Sequence, residues 1–436
     1  MAKTVSFKQG LMSVLFWSII SAAFIGPGTV TTASKAGAGF QLDLLWALCF
    51  SILATIILQE AAARITIASG KNLGEIIAIK FGGKENQRIK LFLFFAVLIG
   101  CAAYQAGNIL GAVSGLSLVG GFSQSVLILL IGLVCFGLLW IGNFRIIANM
   151  LGLVVALMGI AFLYIAFQTD WNLVNVAGAA LKPGIPDGSL LLIIGLIGTT
   201  IVPYNLFLAS GISQGQSIAE MRWGIMLAVI IGGIVSIAIM VVGTQVEGEF
   251  SFAALAEAMS IGLGKSSALF FGFGLFAAGL SSSITSPLAA AVTAKSLFAG
   301  ANNGVWENNS TYFRLVWAGV LGVGLLFGLL QVKPIPAIIL AQAVNGVLLP
   351  IIVIFLILSV NDEKLLGKKY TNSIFSNILT LAILAVTSFL GLNNLWKAIL
   401  NIFPALSFSQ KTSFSAIAVL AVLITLWVGM KIFQKK

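Results

Sequence analysis

Apolar residues fill this chain in long, nearly uninterrupted stretches, and polar residues are confined to the gaps between them. A helix needs about 20 such residues to cross a bilayer. Twelve stretches qualify: 11–39, 43–69, 90–116, 123–142, 144–169, 189–212, 223–246, 266–296, 314–332, 335–360, 373–396 and 412–433. Their length and uniformity exclude an outer-membrane barrel, whose strands alternate over short segments. The longest polar connections are 70–89 and 297–313. "KNLGEIIAIKFGGKENQRIK" (71–90) predicts a short amphipathic helix ended by Gly82 and Gly83. The expected class is an all-α polytopic membrane protein with a single transmembrane domain over 1–436.

Two stretches are interrupted in the middle. "SAAFIGPGTVTTASKAGAG" (21–39) breaks at Gly26-Pro27-Gly28, and "GLIGTTIVPYNLFLASGIS" (195–213) breaks at Pro203. Proline lacks the N–H and clashes with the preceding turn, so a helix stops or restarts there. With 11–169 as a first repeat and 189–360 as a second, both prolines fall in the first span of their repeat. The 373–433 segment then adds extra C-terminal helices. Paired interruptions of this kind point to a transporter site at the bilayer midplane. Broken backbone survives at that depth only where it lines a cavity or binds something. The helix start after Gly28 suits an anion, and the helix ends before Gly26 and Pro203 suit a cation.

Only 8% of the 436 residues are charged and 59% are hydrophobic, which no soluble domain could bury. The net charge of +11 changes nothing about nucleic acid once the basic residues are sorted by loop. With the N-terminus inside, eighteen of the 24 fall at inner ends and six at outer ones. That is the positive-inside rule, which predicts both termini in the cytoplasm, and the expected setting is a bacterial plasma membrane. Cys49, Cys101 and Cys135 all lie within spans at spacings that match neither a disulfide framework nor a metal cluster, and histidine is absent. No cofactor, no catalytic constellation and no nucleic-acid partner is expected. The partners are the lipid bilayer and a small-molecule substrate, and a monomer is expected.

The thirteen acids leave the midplane empty of carboxylates. All but Glu60 fall in loops or at span ends, and Glu60 is placed for an i,i+4 salt bridge with Arg64. Midplane polar residues are neutral instead: Thr29, Thr31 and Thr32; Tyr104, Gln105 and Asn108; Thr199, Thr200, Tyr204 and Asn205; Ser281, Ser282, Ser283, Thr285 and Ser286; Gln342 and Asn345. Any one of them serves as well for gluing helices together. Their convergence on the two breaks is what suggests a site.

These residues resemble the natural resistance-associated macrophage protein (NRAMP) family of divalent-metal transporters. "GPGTVTTASKAGA" (26–38) is similar to the family's Asp-Pro-Gly-Asn stretch, and "VPYN" (202–205) to its Met-Pro-His-Asn stretch. "LLWALCFSILATIILQEAAARITIASGKNLGE" (44–75), "SSSITSPLAA" (281–290) and "AQAVNGVLLP" (341–350) extend the likeness through most of spans 1–10. The resemblance implies a LeuT-like inverted repeat, spans 1–5 against 6–10, with helices 1 and 6 broken. It also implies alternating access.

The departures bear on the substrate. Gly26 stands at the family's metal-binding Asp, Thr29 at its Asn, Val202 at its Met and Tyr204 at its His, while Gln105 and Asn108 replace acids linked to proton movement. Transition-metal binding without carboxylate, His, Cys or Met ligands is chemically improbable. The expected substrate set is Gly26, Gly28, Thr29, Thr32, Gln105, Asn108, Thr199, Val202, Tyr204 and Asn345. A small zwitterion such as an amino acid fits it, with carboxylate on the N–H groups after Gly28 and ammonium on carbonyls of 199–202. The alternative is a divergent divalent-cation carrier, magnesium before manganese. A sodium ion is a candidate coupling ion, with oxygens from Ser282, Ser283, Thr285 or Ser286.

Overall fold

The computed structural model describes residues 25–81, 87–142, 145–169, 172–299, 303–403 and 409–434. Eleven of its helical segments are long and apolar enough to cross a membrane, and they coincide with the second to twelfth expected spans. Of the first span, the part before Ile25 lies outside the described residues, as do Gly82 and Gly83.

In chain order the first half comprises α1 (Pro27–Phe40), α2 (Leu45–Ser69), α3 (Leu73–Phe81), α4 (Gln87–Val119), α5 (Gln124–Ile141), α6 (Arg145–Gln168) and α7 (Leu173–Leu181). The next part comprises α8 (Leu190–Thr200), α9 (Pro203–Ile212), α10 (Ile218–Gly243), α11 (Phe252–Ala258), α12 (Ser260–Leu263) and α13 (Ser267–Phe298). Finally come α14 (Thr311–Leu329), α15 (Pro334–Val360), α16 (Glu363–Leu366), α17 (Ile374–Ile402) and α18 (Gln410–Phe433). The amphipathic segment expected after the second span is α3.

Each of the two prolines begins a helix. Pro27 follows the N-cap Gly26, and Pro203 follows the N-cap Val202, each with extended backbone at the cap. Proline suits the first helical position because its missing N–H has no intrahelical partner there anyway. The non-helical residues are therefore Ile25-Gly26 and Ile201-Val202. This corrects the expected breaks: Gly28 and Thr29 already belong to the first turn of α1.

The α8–α9 span sits at the centre, with 94% of its apolar window buried, against 22% for Thr412–Phe433 at the rim. Large apolar side chains such as Leu133, Ile146, Phe167 and Phe375 are exposed on the outer faces, as lipid contact requires. Helices α4 and α13 share the most extensive contact in the bundle, and glycine brings their backbones close. A Cβ on Gly279 would lie 2.6 Å from the Ala112 backbone nitrogen, and one on Gly272 would lie 2.6 Å from the Gly115 carbonyl oxygen. Ser286 Oγ then donates to the Cys101 carbonyl at 2.9 Å and Gln105 Nε2 to the Ser283 carbonyl at 3.1 Å, fastening the same pair.

The predicted inner end is tied by charge. Glu60 pairs with Arg64 at 3.0 Å, as its spacing suggested, and also with Arg222 of α10 at 2.8 Å. Arg64 reaches on to the Tyr370 carbonyl and the Asn372 side chain, both at 2.6 Å. Lys80 of α3 pairs with Asp362 at 2.6 Å, joining the connection after α15 to the bundle.

Candidate functional site

The start of α1 and the end of α8 lie against each other. Thr29 Oγ1 and Thr199 Oγ1 are 2.9 Å apart and hydrogen-bonded, although 170 positions separate them in sequence. Helix α4 closes one side: Tyr104 donates its hydroxyl to the Gly198 carbonyl at 2.6 Å and packs edge-to-face on Tyr204, ring centroids 5.7 Å apart. Helix α15 closes another. A Cβ on Gly28 would run into the Gln342 side-chain amide, so that amide lies directly on the first turn of α1. Thr29, Thr199, Tyr104, Tyr204 and Gln342 are all buried.

The remaining expected residues divide. Gly26 faces Ser282, whose Oγ would stand 3.2 Å from a Cβ there, and Val202 caps α9 with its carbonyl taken by the Asn205 N–H at 3.0 Å. Thr32 packs its methyl on Gly195, and its hydroxyl is buried without a hydrogen-bond partner. Gln105 and Asn345 are turned to helix contacts. Gln105 faces Ser283 and packs at Gly324, while Asn345 Nδ2 donates to the Gly100 carbonyl at 3.1 Å. A step of one residue along a helix rotates a side chain by about 100°. Gln105 therefore looks away from the face that carries Tyr104. Asn108 is buried with Nδ2 unpartnered.

Of the four expected coupling-ion residues, two are engaged elsewhere. Thr285 donates to the Ser281 carbonyl at 3.0 Å within its own helix, and Ser286 fastens α13 to α4. Ser282 lies beside Gly26, and the Ser283 hydroxyl is buried without a partner. The carbonyls at the end of α8 are also less free than expected: Gly198 accepts from Tyr104, and Thr200 accepts from Thr55 Oγ1 at 3.3 Å.

The sequence reading places Tyr104 and Gln342 in mid-span without assigning either to the substrate. The signal for Tyr104 lay in its spacing from Asn108, one helical turn away on the same face. That for Gln342 was no stronger than for Asn345, one turn later, because the pattern leaves the facing side of a uniformly apolar helix open.

Several residues of the helices that meet here carry a buried oxygen atom without a partner: Thr31, Thr32, Asn205, Ser283 and Gln342. A buried polar group left unpaired is costly unless water or a bound molecule satisfies it. Among the described residues, no group of three or more His, Cys, Asp or Glu side chains stands together to hold a metal. A separate hollow of about 580 Å³, lined by Glu257, Ser260, Lys265 and Ser267, contains none of the residues at the breaks.

A family model described as "Natural resistance-associated macrophage protein-like" matches residues 18–397. The chain belongs to this family. Curated relatives include a divalent metal cation transporter, MntH, of Verminephrobacter eiseniae, 26% identical over 85% of this chain and 86% of that one. A second, from Granulibacter bethesdensis, is 25% identical over 84% of each chain. Among solved structures, the Eremococcus coleocola manganese transporter aligns with TM-score 0.74 at 18% identity, covering 100% of this chain and 98% of that one. Mhp1, a nucleobase-cation-symport-1 family transporter, aligns with TM-score 0.55 at 17% identity over 97% and 93% of the two chains. The fold of this NRAMP member is thus LeuT-like, with α8–α9 as a broken span. It is a multi-pass integral membrane transporter, not an enzyme.

Proposed function

We propose that this NRAMP member carries a divalent metal cation by alternating access, through the space between the start of α1 and the end of α8. Support comes from its relatives, named as divalent metal cation transporters over most of its length. The local observation that carries the reading is the meeting of neutral oxygen donors from both halves, Thr29 against Thr199 at 2.9 Å with Gln342 alongside. Hydroxyl, amide and carbonyl oxygens suit a hard ion that keeps part of its water shell, so magnesium is expected ahead of manganese. Metal here is substrate, held without a carboxylate.

A second reading is favoured by one specific observation. A helix start and a helix end facing each other, with no formal charge between them, also fit a small zwitterion such as an amino acid. Sodium beside Ser282 and Ser283 would belong to that reading.

The deciding experiment is uptake into proteoliposomes of magnesium, of manganese and of a labelled amino-acid panel. Saturable magnesium uptake without amino-acid uptake is the expected result. Amino-acid uptake with neither metal would overturn the first reading and support the second.

A further inference from the structure

Tyr104 belongs to α4, which is bolted to α13 by glycine contacts and by the Ser286 and Gln105 hydrogen bonds. Its hydroxyl, however, bonds to a different body, the last turn of α8. There it donates to the Gly198 carbonyl at 2.6 Å. The neighbouring Thr199 side chain is hydrogen-bonded to Thr29 at 2.9 Å. The last turn of α8 is thus tied on one side to α1 and on the other to α4.

A helix end carries partial negative charge concentrated on its last carbonyls. In this structure the positive end of an O–H bond occupies one of them. We propose that Tyr104 is a specificity- and affinity-setting residue, a built-in donor that holds the end of α8 in place of substrate and must release Gly198 before a cation can use it. The proposal rests on the reading that substrate reaches these helix ends. Alternating access in such folds moves one packed body against another around the site. The Tyr104–Gly198 bond spans the boundary between α4 and α8, so breaking it is a step toward that movement.

The test uses the full-length protein with Tyr104→Phe, which keeps the ring against Tyr204 and removes only the hydroxyl. Tyr104→Met, without ring or hydroxyl, is the second variant should the first fail to fold. Magnesium and manganese binding is titrated on the purified protein, and magnesium KM and maximal rate are measured in proteoliposomes. Binding should tighten roughly three- to tenfold, the worth of one net hydrogen bond no longer competed for. KM should fall without a matching rise in maximal rate. Unchanged or weaker binding would overturn the proposal, since Tyr104 would then be packing or a ligand. If the wild type binds neither ion, the cation reading fails separately, and backbone hydrogen exchange decides about Tyr104. Faster exchange over 198–205 with 267–298 unchanged is then expected, and equal exchange in both segments would overturn the latch.

Discussion

Gly28 and Gly279 are both pressed against a neighbouring helix, yet one added methyl group should do different things at each. At Gly28 the methyl meets the side-chain amide of Gln342, the far end of a flexible group that can swing aside. At Gly279 it meets the nitrogen, Cβ and Cα of Ala112 at 2.6, 2.7 and 2.8 Å, which cannot move without shifting α4. Overpacking against backbone costs about 1–3 kcal/mol or more. Gly279→Ala should therefore lower the yield of monodisperse protein and its melting temperature, whereas Gly28→Ala should fold normally and lose most of its uptake. Size-exclusion profiles and uptake on the same preparations check both, and a fully active Gly28→Ala would remove Gln342 and Gly28 from the site. At this scale the prolines and the missing carboxylates were legible because each has one strong physical meaning. Tyr104 and Gln342 were not, because a single polar residue in an apolar helix has no facing side until its neighbours are placed.

At the scale of elements, span lengths and the short helix α3 were readable from hydropathy alone, since a bilayer demands a fixed run of apolar residues. The restart points were less so. Sequence marks where a helix cannot continue, but proline at the first helical position moves the true break to the residues before it. Which loops meet at the inner end was also hidden, because Lys80 and Asp362 are brought together only by the return of α15. Burial on its own raises the Asp362 carboxyl pKa. The hydrogen bond and charge of Lys80, with the backbone N–H groups of Leu365 and Lys364, outweigh it and leave the value below that of an ordinary carboxylate. Folding thus lowers this pKa. Its contribution to stability is complete above an unfolded value of about 3.9 and is lost as pH falls through the lower folded value. Thermal melts taken from about pH 6 down to about pH 2.5 should show this acid-side slope reduced in Asp362→Asn. An identical slope in both proteins would mean the pair adds nothing.

On the scale of the whole molecule, the decisive property is that the polar residues gathered where α1 meets α8 carry no formal charge, although the cargo proposed for them is a divalent cation. Every described carboxylate except Glu60 lies near a helix end or in a connection, and Glu60 is already held by Arg64 and Arg222. A divalent cation crossing such a protein has no bound negative charge to travel with, so each turnover of the unaccompanied ion moves two positive charges through the membrane field. One charge across 100 mV is worth about 2.3 kcal/mol, so two are worth about 4.6 kcal/mol. A zwitterion carried alone moves none. Magnesium uptake into proteoliposomes clamped inside-negative with potassium and valinomycin should therefore rise steeply with the imposed potential. At fixed potential it should be indifferent to a pH gradient, because among the described residues no midplane carboxylate is available to take up a proton. Uptake that ignores the potential while following the pH gradient would mean that a proton moves against the cation, with Glu60 as the group to test by Glu60→Gln. Amino-acid uptake insensitive to potential would instead identify the helix ends as a zwitterion cradle, and the family's metal chemistry would have been exchanged at Gly26, Thr29, Val202 and Tyr204 for dipoles alone.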